Sequence, residues 1–364
     1  MSAIGFGKNV TGGGSNPVNW IDVTSGKNSG PDTLDEAIKK ANKADGHETV
    51  IMIKTNIDPN VDPDDPKKPT LIVRARNLTI QAQGGFVINR NKLYFDCTAA
   101  DNILLTNLDF RSDGVNEPND TILIDATKGR GKKGLWIDHC SFEAYNDLNI
   151  TSHAADLEEG MPPLLISISH CRFYDKDPGG GHSRNHGALG IHGAGEDGEG
   201  QNQHTDSYAT LYRNYFQKVR RRSPRSSRKN FVHAFNNVLE NWGNGDHGAD
   251  PDRDQVNAME SGNIGRIVAE ANYFEAGNFK STIIVAAGNE PGELFVGVDK
   301  LVNRYINGAL DPFKDPHNKL PPPKDPISEL KKKYEAALGE DIPHRDEITD
   351  DLVDTIKKEA GARP

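Results

Sequence analysis

Cysteine is scarce in this chain: Cys97, Cys140 and Cys171 are the only three in 364 residues. They are too few, and odd in number, for a disulfide scaffold. No apolar run approaches the roughly 18 residues of a membrane-spanning helix, so no membrane partner is expected. The opening MSAIGFGKNV has neither a basic cluster nor an apolar stretch, so no signal peptide is expected there. An excess of positive charge is missing too. Lys and Arg number 43 against 53 Asp and Glu, a formal charge of -10, which argues against generic nucleic-acid binding. Runs of long helices between the strand-like segments are also lacking, which disfavours a doubly wound α/β sheet. What remains is enough for a core: 35% apolar residues plus 36 glycines exclude wholesale disorder.

One short pattern recurs, with alternating apolar residues and an aromatic or apolar end. It closes at Phe110 (NILLTNLDF), Phe142 (GLWIDHCSF), Phe173 (LLISISHCRF), Phe216 (YATLYRNYF), Leu239 (FVHAFNNVL) and Phe274 (RIVAEANYF). Irregular spacing with short strands between, such as DTILID and DLNIT, predicts stacked coils of variable length, an all-β parallel solenoid. Two residues before each end stand Leu108, Cys140, Cys171, Asn214, Asn237 and Asn272. Stacking aligns three asparagines whose amides can bond along the column, and it makes Cys140 and Cys171 neighbours. Coil spacing of about 4.8 Å would permit a disulfide there, but a buried free pair is expected, since sulfur packs well in a coil interior.

Such a solenoid needs caps. Thr33 and Glu36 are spaced as a capping box ahead of an amphipathic stretch through Ala44, which predicts a helix plugging the first coil. Beyond about Leu310 the composition changes to prolines and then two charged amphipathic helices, Ile327 to Leu338 and about Asp346 to Glu359. Residues 1–310 are therefore expected to form one domain, and 311–364 a tail packed along it. The Gly-, His- and Asn-rich stretch 175–206 reads as a surface loop.

The densest chemical signal is VRRRSPRSSRK, Val219 to Lys229. It could be a solvated basic loop or an RS-rich nucleic-acid segment, but it is short, lacks interleaved aromatics and sits in an acidic chain. Arginines fixed between two solenoid strands suit a polyanion, because guanidinium groups grip carboxylates bidentately. Other candidates are weaker. His182, His186, His192 and His204 match no zinc spacing. Asp250, Asp252 and Asp254 open like an EF-hand loop, but Gln255 stands at the glycine position and Glu260 comes one residue too early for the last ligand. Asp138 and His139 look like acid-base partners. No acidic pair is found around the arginine loop, which disfavours a glycoside hydrolase.

WIDHCSF, then TLYRNYF, then Arg222-Ser-Pro-Arg225, then FVHAFNN together resemble the pectate lyases of polysaccharide lyase family 1, in the pectate lyase and pectin lyase superfamily. GFG (Gly5 to Gly7), TGGG (Thr11 to Gly14), TLDEAI (Thr33 to Ile38) and EANYFE (Glu270 to Glu275) extend the likeness over residues 3 to 280. The resemblance implies a right-handed parallel β-helix that cleaves polygalacturonate by β-elimination. It places the Asp138–His139 pair among structural residues.

Arg222 matches the catalytic arginine, Arg225 the arginine after the proline, and Arg228 the substrate-carboxylate arginine, with one extra residue in the loop. Asp120 matches a calcium-ligand aspartate. The two acids of the second ligand segment fall on Tyr145 and Asn149, with Asp147 between them on the same face. A substrate lysine falls on Ala188, leaving Arg184 or His192 as stand-ins. The implied cofactor is calcium at Asp120, Asp147 and Asn149. The implied partner is an acidic polysaccharide, met outside the cell by a monomer. Arginine is a poor base, with a pKa of roughly 12 or more, but crowding by Arg221, Arg225, Arg228 and a metal would favour its neutral form. Methylated pectin or another uronate polymer, and a non-catalytic carbohydrate-binding β-helix, remain the alternatives.

Overall fold

The computed structural model describes residues 3–58, 70–89, 92–111, 120–129, 133–143, 148–154, 162–175, 187–193, 207–228, 230–242, 257–262, 264–277, 280–285, 292–315 and 326–363. Among these residues the strands form three sheets, in which every pairing between strands is parallel. Sheet A has ten strands, from Asn19–Val23 to Glu293–Val296. Sheet B has eight, from Val87–Asn89 to Arg304–Ile306, and sheet C has eight, from Thr70–Val73 to Ile283–Val285. The chain visits C, A and B in turn, as in Asp120–Ala126, Leu135–Asp138 and Ser141–Glu143, then repeats one strand spacing further on. This is a parallel β-helix.

The repeat ends expected from the sequence stack in register. Phe142 pairs with Phe110 and Phe173, Phe173 with Phe216, Phe216 with Leu239, and Leu239 with Phe274. Ring centroids of Phe110, Phe142, Phe173 and Phe216 follow at 5.1, 4.9 and 4.9 Å with nearly parallel planes. Such ring pairs add about 1 kcal/mol each beyond area burial. The asparagine column forms as well. Asn214 Nδ2 donates to Asn237 Oδ1 (3.0 Å), Asn237 Nδ2 to Asn272 Oδ1 (3.0 Å), and Asn272 Nδ2 to Asn303 Oδ1 (3.1 Å). Just before this column, Asn107, His139, His170, Arg213, Asn236 and Ala271 each have φ between 48° and 57°. One left-handed residue per coil makes the sharp corner between sheets A and B. The asparagine that follows satisfies backbone N–H groups the corner would orphan, as where Asn214 N–H donates to Asn237 Oδ1 (3.0 Å). Cys140 and Cys171 are free, fully buried neighbours in the column, and burial together with the Cys140 thiol pushes the Cys171 thiol well up.

Helix α1 (Leu34–Asn42) begins where the capping box places it, with Thr33 accepting from the Glu36 N–H at 3.3 Å. Its Leu34, Ala37, Ile38 and Ala41 close the end of the solenoid core. Near the other end of the sequence come α2 (Ile327–Leu338) and α3 (Asp350–Glu359). The latter starts later than its charge pattern predicts, because Thr349 caps it. Against the outer face of sheet A, α2 packs Leu330 and Tyr334 beside Phe6, Leu165, Tyr208 and Phe231. Phe6 belongs to the GFG segment, which crosses that sheet so closely that a Cβ on Gly5 would lie 2.1 Å from Thr210 Oγ1.

Beneath α2 a buried polar chain ties these pieces together. Phe6 N–H donates to Thr210 Oγ1 (3.0 Å), and Tyr334 Oη lies 3.1 Å from Thr210 Oγ1 and 3.0 Å from His233 Nδ1. His233 Nε2 meets Glu270 Oε2 at 3.0 Å, and Arg345 reaches the same oxygen at 3.2 Å. Burial holds the fully enclosed His233 below its ordinary range, although Glu270 pulls the other way. Its unfolded form takes up a proton below about pH 6.5, while the folded one resists until lower pH. Stability is therefore expected in full above that pH and to fall as pH drops through the window beneath it. Melting temperature measured from pH 8 to pH 5 checks this. Tyr334→Phe, which leaves a buried partner unsatisfied, is expected to cost about 1–3 kcal/mol.

Candidate active site

Alternation along each strand decides what faces out. On sheet C, Ile150 and Met259 are in the core, so Thr151 and Glu260, the next residues, face outward. Ladder registry then assembles a row: Leu123 and Thr151, then Gly190, Arg225 and Glu260 on successive coils. Beside it run Asp125, His153 and His192.

The arginine turn stands against this row. Arg220 and Arg221 are 3% exposed, so the segment is a packed element rather than a solvated loop. Arg222 takes a left-handed backbone (φ 58°) next to the cis Ser223–Pro224 bond, and its carbonyl accepts from the Leu189 N–H at 2.9 Å. The arginines also meet a carboxylate that the sequence reading left out. Glu260 Oε1 lies 3.2 Å from Arg225 Nε, and Glu260 Oε2 lies 3.6 Å from Arg222 Nε. The glutamate is 6% exposed. The sequence shows no acidic pair around the turn, and registry adds a single carboxylate, bringing Glu260 of the following coil directly beside Arg225. A neighbouring carboxylate favours the charged guanidinium, opposing the crowding argument for a neutral Arg222.

Toward earlier coils the face changes character. Asp120 accepts from the Thr151 hydroxyl and pairs with Lys92 Nζ at 3.3 Å. Tyr94 donates to Asp125, and with burial and the Asp125 charge this pushes its phenol up to about 12. Asp125 also accepts from the Thr127 N–H (2.9 Å) and hydroxyl (2.6 Å). Burial pushes its carboxyl up, but these bonds outweigh it and leave the group below its ordinary range. His153 links the halves. Burial lowers it first, Asp120 and Asp125 pull it up, and Lys92 and Arg228 push it down. Arg228 and Asp120 thus both act on His153. Lys92, Thr151 and His153 were missed from the sequence. The outward alternation of Asn149, Thr151 and His153 in NITSHA was the available signal for two of them.

Of the other expected residues, Ala188 is fully buried. Asn149, 1% exposed, donates from Nδ2 to the Glu143 carbonyl at 2.7 Å. The backbone of His192 pairs with His153, and its side chain lies outside the described residues, as do Arg184, Tyr145 and Asp147, His182, His186 and His204, and the 250–254 acids.

Among the described residues one His/Asp cluster has metal-like spacing, Asp138, His139 and His170 at the corner between sheets A and B. Its donors are already engaged. Asp138 Oδ2 meets His139 Nδ1 (2.6 Å), and Oδ1 meets the Ser169 hydroxyl (2.6 Å) and His170 Nδ1 (3.1 Å). Burial raises the Asp138 carboxyl, yet these bonds more than offset that and hold it well below its usual range. Arg363 donates to His139 Nε2 at 2.6 Å, engaging the other ring nitrogen of that histidine. The cluster is a structural lock on another face.

The chain matches the family model described as pectate lyase over residues 6–296. A pectin lyase of Pectobacterium carotovorum is 25% identical over 189 residues, so the chain spans about half the length of that curated relative (52%), and 52% of this chain is covered. Among solved structures, a Bacillus sp. pectate lyase in complex with trigalacturonate superposes with TM-score 0.64 at 15% identity, covering 97% of this chain and 95% of the other. A Paenibacillus sp. pectate lyase gives 0.64 at 15%, covering 99% and 96%. Pectate lyase C of Erwinia chrysanthemi, with calcium, gives 0.58 at 14%, covering 97% and 94%. With the family match spanning most of the β-helix and both the arginine turn and the Asp120 face inside it, this chain belongs to the pectate lyase family.

Proposed function

We propose that the protein is a polysaccharide lyase that cleaves polygalacturonate by β-elimination, leaving a 4,5-unsaturated uronate end. The observation that carries this reading is the grouping of Arg222 and Arg225 on the outer face of sheet C, beside the face that holds Asp120. Guanidinium groups there are placed to take uronate carboxylates. Arg225 and Arg228 would hold the substrate, and Arg222 would remove the proton on carbon 5. With Glu260 beside it, Arg222 would act as a base only at alkaline pH. No second carboxylate pairs with Glu260 across a bond-sized gap in the described contacts, as hydrolysis requires. The expected place of action is outside the cell, where so large a polymer is met.

The calcium implied by the family fits only in part. Calcium takes six to eight oxygens. Asp120 offers a carboxylate already shared with Lys92 and Thr151, and Asn149 offers one carboxamide oxygen, with Asp147 the remaining candidate. These residues would hold the ion together with substrate carboxylates rather than alone. Bound there, it would supply positive charge to the substrate carboxylate. Calorimetric titration is expected to show weak calcium binding that tightens with an oligogalacturonate present, and Asn149→Asp is expected to tighten it without substrate. Equal affinity with and without the oligosaccharide would contradict this.

The test of the reading is an activity panel over polygalacturonate, methylated pectin and alginate, following ultraviolet absorbance and reducing ends together. Rising absorbance on polygalacturonate is expected. Reducing ends without absorbance indicate hydrolysis, and neither indicates a binding protein. The strongest signal on methylated pectin would favour the pectin-lyase reading, which the Pectobacterium relative also suggests.

A further inference from the structure

We propose that Glu260 is a positioning residue for the lyase site: it anchors the Arg222 and Arg225 guanidinium groups from one side and sets the pH at which Arg222 becomes active. The inference rests on the lyase reading above and assigns this site a member of opposite charge.

Three observations support it. Glu260 is fixed at its backbone, since its N–H donates to the Pro224 carbonyl at 2.9 Å and its strand Met259–Gly262 pairs with Arg225–Ser227. Its two oxygens divide between two arginines, 3.2 Å to Arg225 Nε and 3.6 Å to Arg222 Nε. It is nearly enclosed, with a side chain 8% exposed, so solvent screens these contacts little. An Nε contact holds a guanidinium by its inner edge.

Among the described residues, the charged groups that pair with Glu260 or share the facing turn are arginines. Arg225 stands across the ladder, Arg222 in the turn, with Arg220 and Arg221 buried in the same turn. On the other neighbouring strand the residue in register is Ile284, which carries no charge. Met259, the strand neighbour, is in the core. The local balance is one carboxylate against clustered arginines, and removing it leaves like charges together, which favours loss of a proton from one of them.

The experiment measures kcat and KM against pH on polygalacturonate for wild type, Glu260→Gln and Glu260→Asp, each checked for folding by thermal melting. Glu260→Gln is expected to raise KM about tenfold, the loss of one charge-assisted contact. It is also expected to move the rising limb of the kcat profile to lower pH by on the order of one unit. Glu260→Asp keeps the charge but shortens the reach, so KM should rise while the limb stays in place. A Glu260→Gln profile that superimposes on wild type overturns the inference. So does an Asp variant whose limb moves as far as that of the Gln variant, which would indicate altered packing. If Glu260→Gln does not fold, the Asp variant alone decides by the position of its limb. Failure of the lyase reading shows differently, as a wild-type protein that makes no unsaturated product from any uronate polymer.

Discussion

Arg222→Lys is expected to lose at least about 10³-fold in turnover on polygalacturonate, roughly what a well-placed general base contributes, with little change in melting temperature. Lysine keeps the positive charge, so a residue that only attracted the polymer would be replaced at small cost. It lacks the second edge of the guanidinium, so it cannot face Glu260 through one side and the substrate through the other. Folding should survive, because lysine keeps both the positive charge beside Glu260 and the backbone tie to the preceding coil, the Leu189 N–H to the residue 222 carbonyl at 2.9 Å. Steady-state kinetics beside a thermal melt checks both halves. A variant within a few-fold of wild type would remove the assignment.

Asn237→Leu is expected to be among the most damaging single changes to the fold, costing about 2–6 kcal/mol. Asn237 Oδ1 accepts from both the Asn214 N–H and Asn214 Nδ2, each at 3.0 Å. Its Nδ2 reaches the Leu211 carbonyl (3.0 Å), the Phe235 carbonyl (3.2 Å) and Asn272 Oδ1 (3.0 Å). Asn214, Asn237 and Asn272 are fully buried. Leucine has about the right volume but strands two or more of these partners, at about 1–3 kcal/mol each. Leucine is not unsuitable for the column as such, since Leu108 occupies it. It is wrong beside two asparagines. Denaturant unfolding at neutral pH provides the measurement, and a cost under about 1 kcal/mol would mean the amide column adds little.

These two residues mark what could be read from the sequence. The coil alignment rests on a local pattern repeated many times, so the Phe110 to Phe274 column and the asparagines behind it were legible without coordinates. The first and last coils were harder. Ile88 stands where Phe110 follows on the next coil, so the first end lacks the aromatic signature, and the last coil carries tyrosine in place of phenylalanine, with Tyr305 two residues after Asn303. The site was legible on one strand at a time. Arg222 and Arg225 stand out as a motif. Glu260 lies 35 residues beyond Arg225 and meets it only because the ladder puts them in register. Read along the chain, it was an acid in the wrong place for an EF-hand. Once Val232–Phe235 is aligned with Ile267–Glu270, the preceding strands align too, and the glutamate falls beside the arginine. Lys92 on Asp120 escaped notice for the same reason, being a contact between coils that no local spacing encodes.

The most direct measurement is the mass of the products made from a defined oligogalacturonate in oxygen-18 water. Elimination splits the chain without adding water. The expected result is two fragments whose masses sum to that of the substrate, one carrying the unsaturated uronate, with no heavy oxygen incorporated by cleavage. Fragments heavier in sum by one water, with the label at the new end, would show hydrolysis and contradict the lyase account.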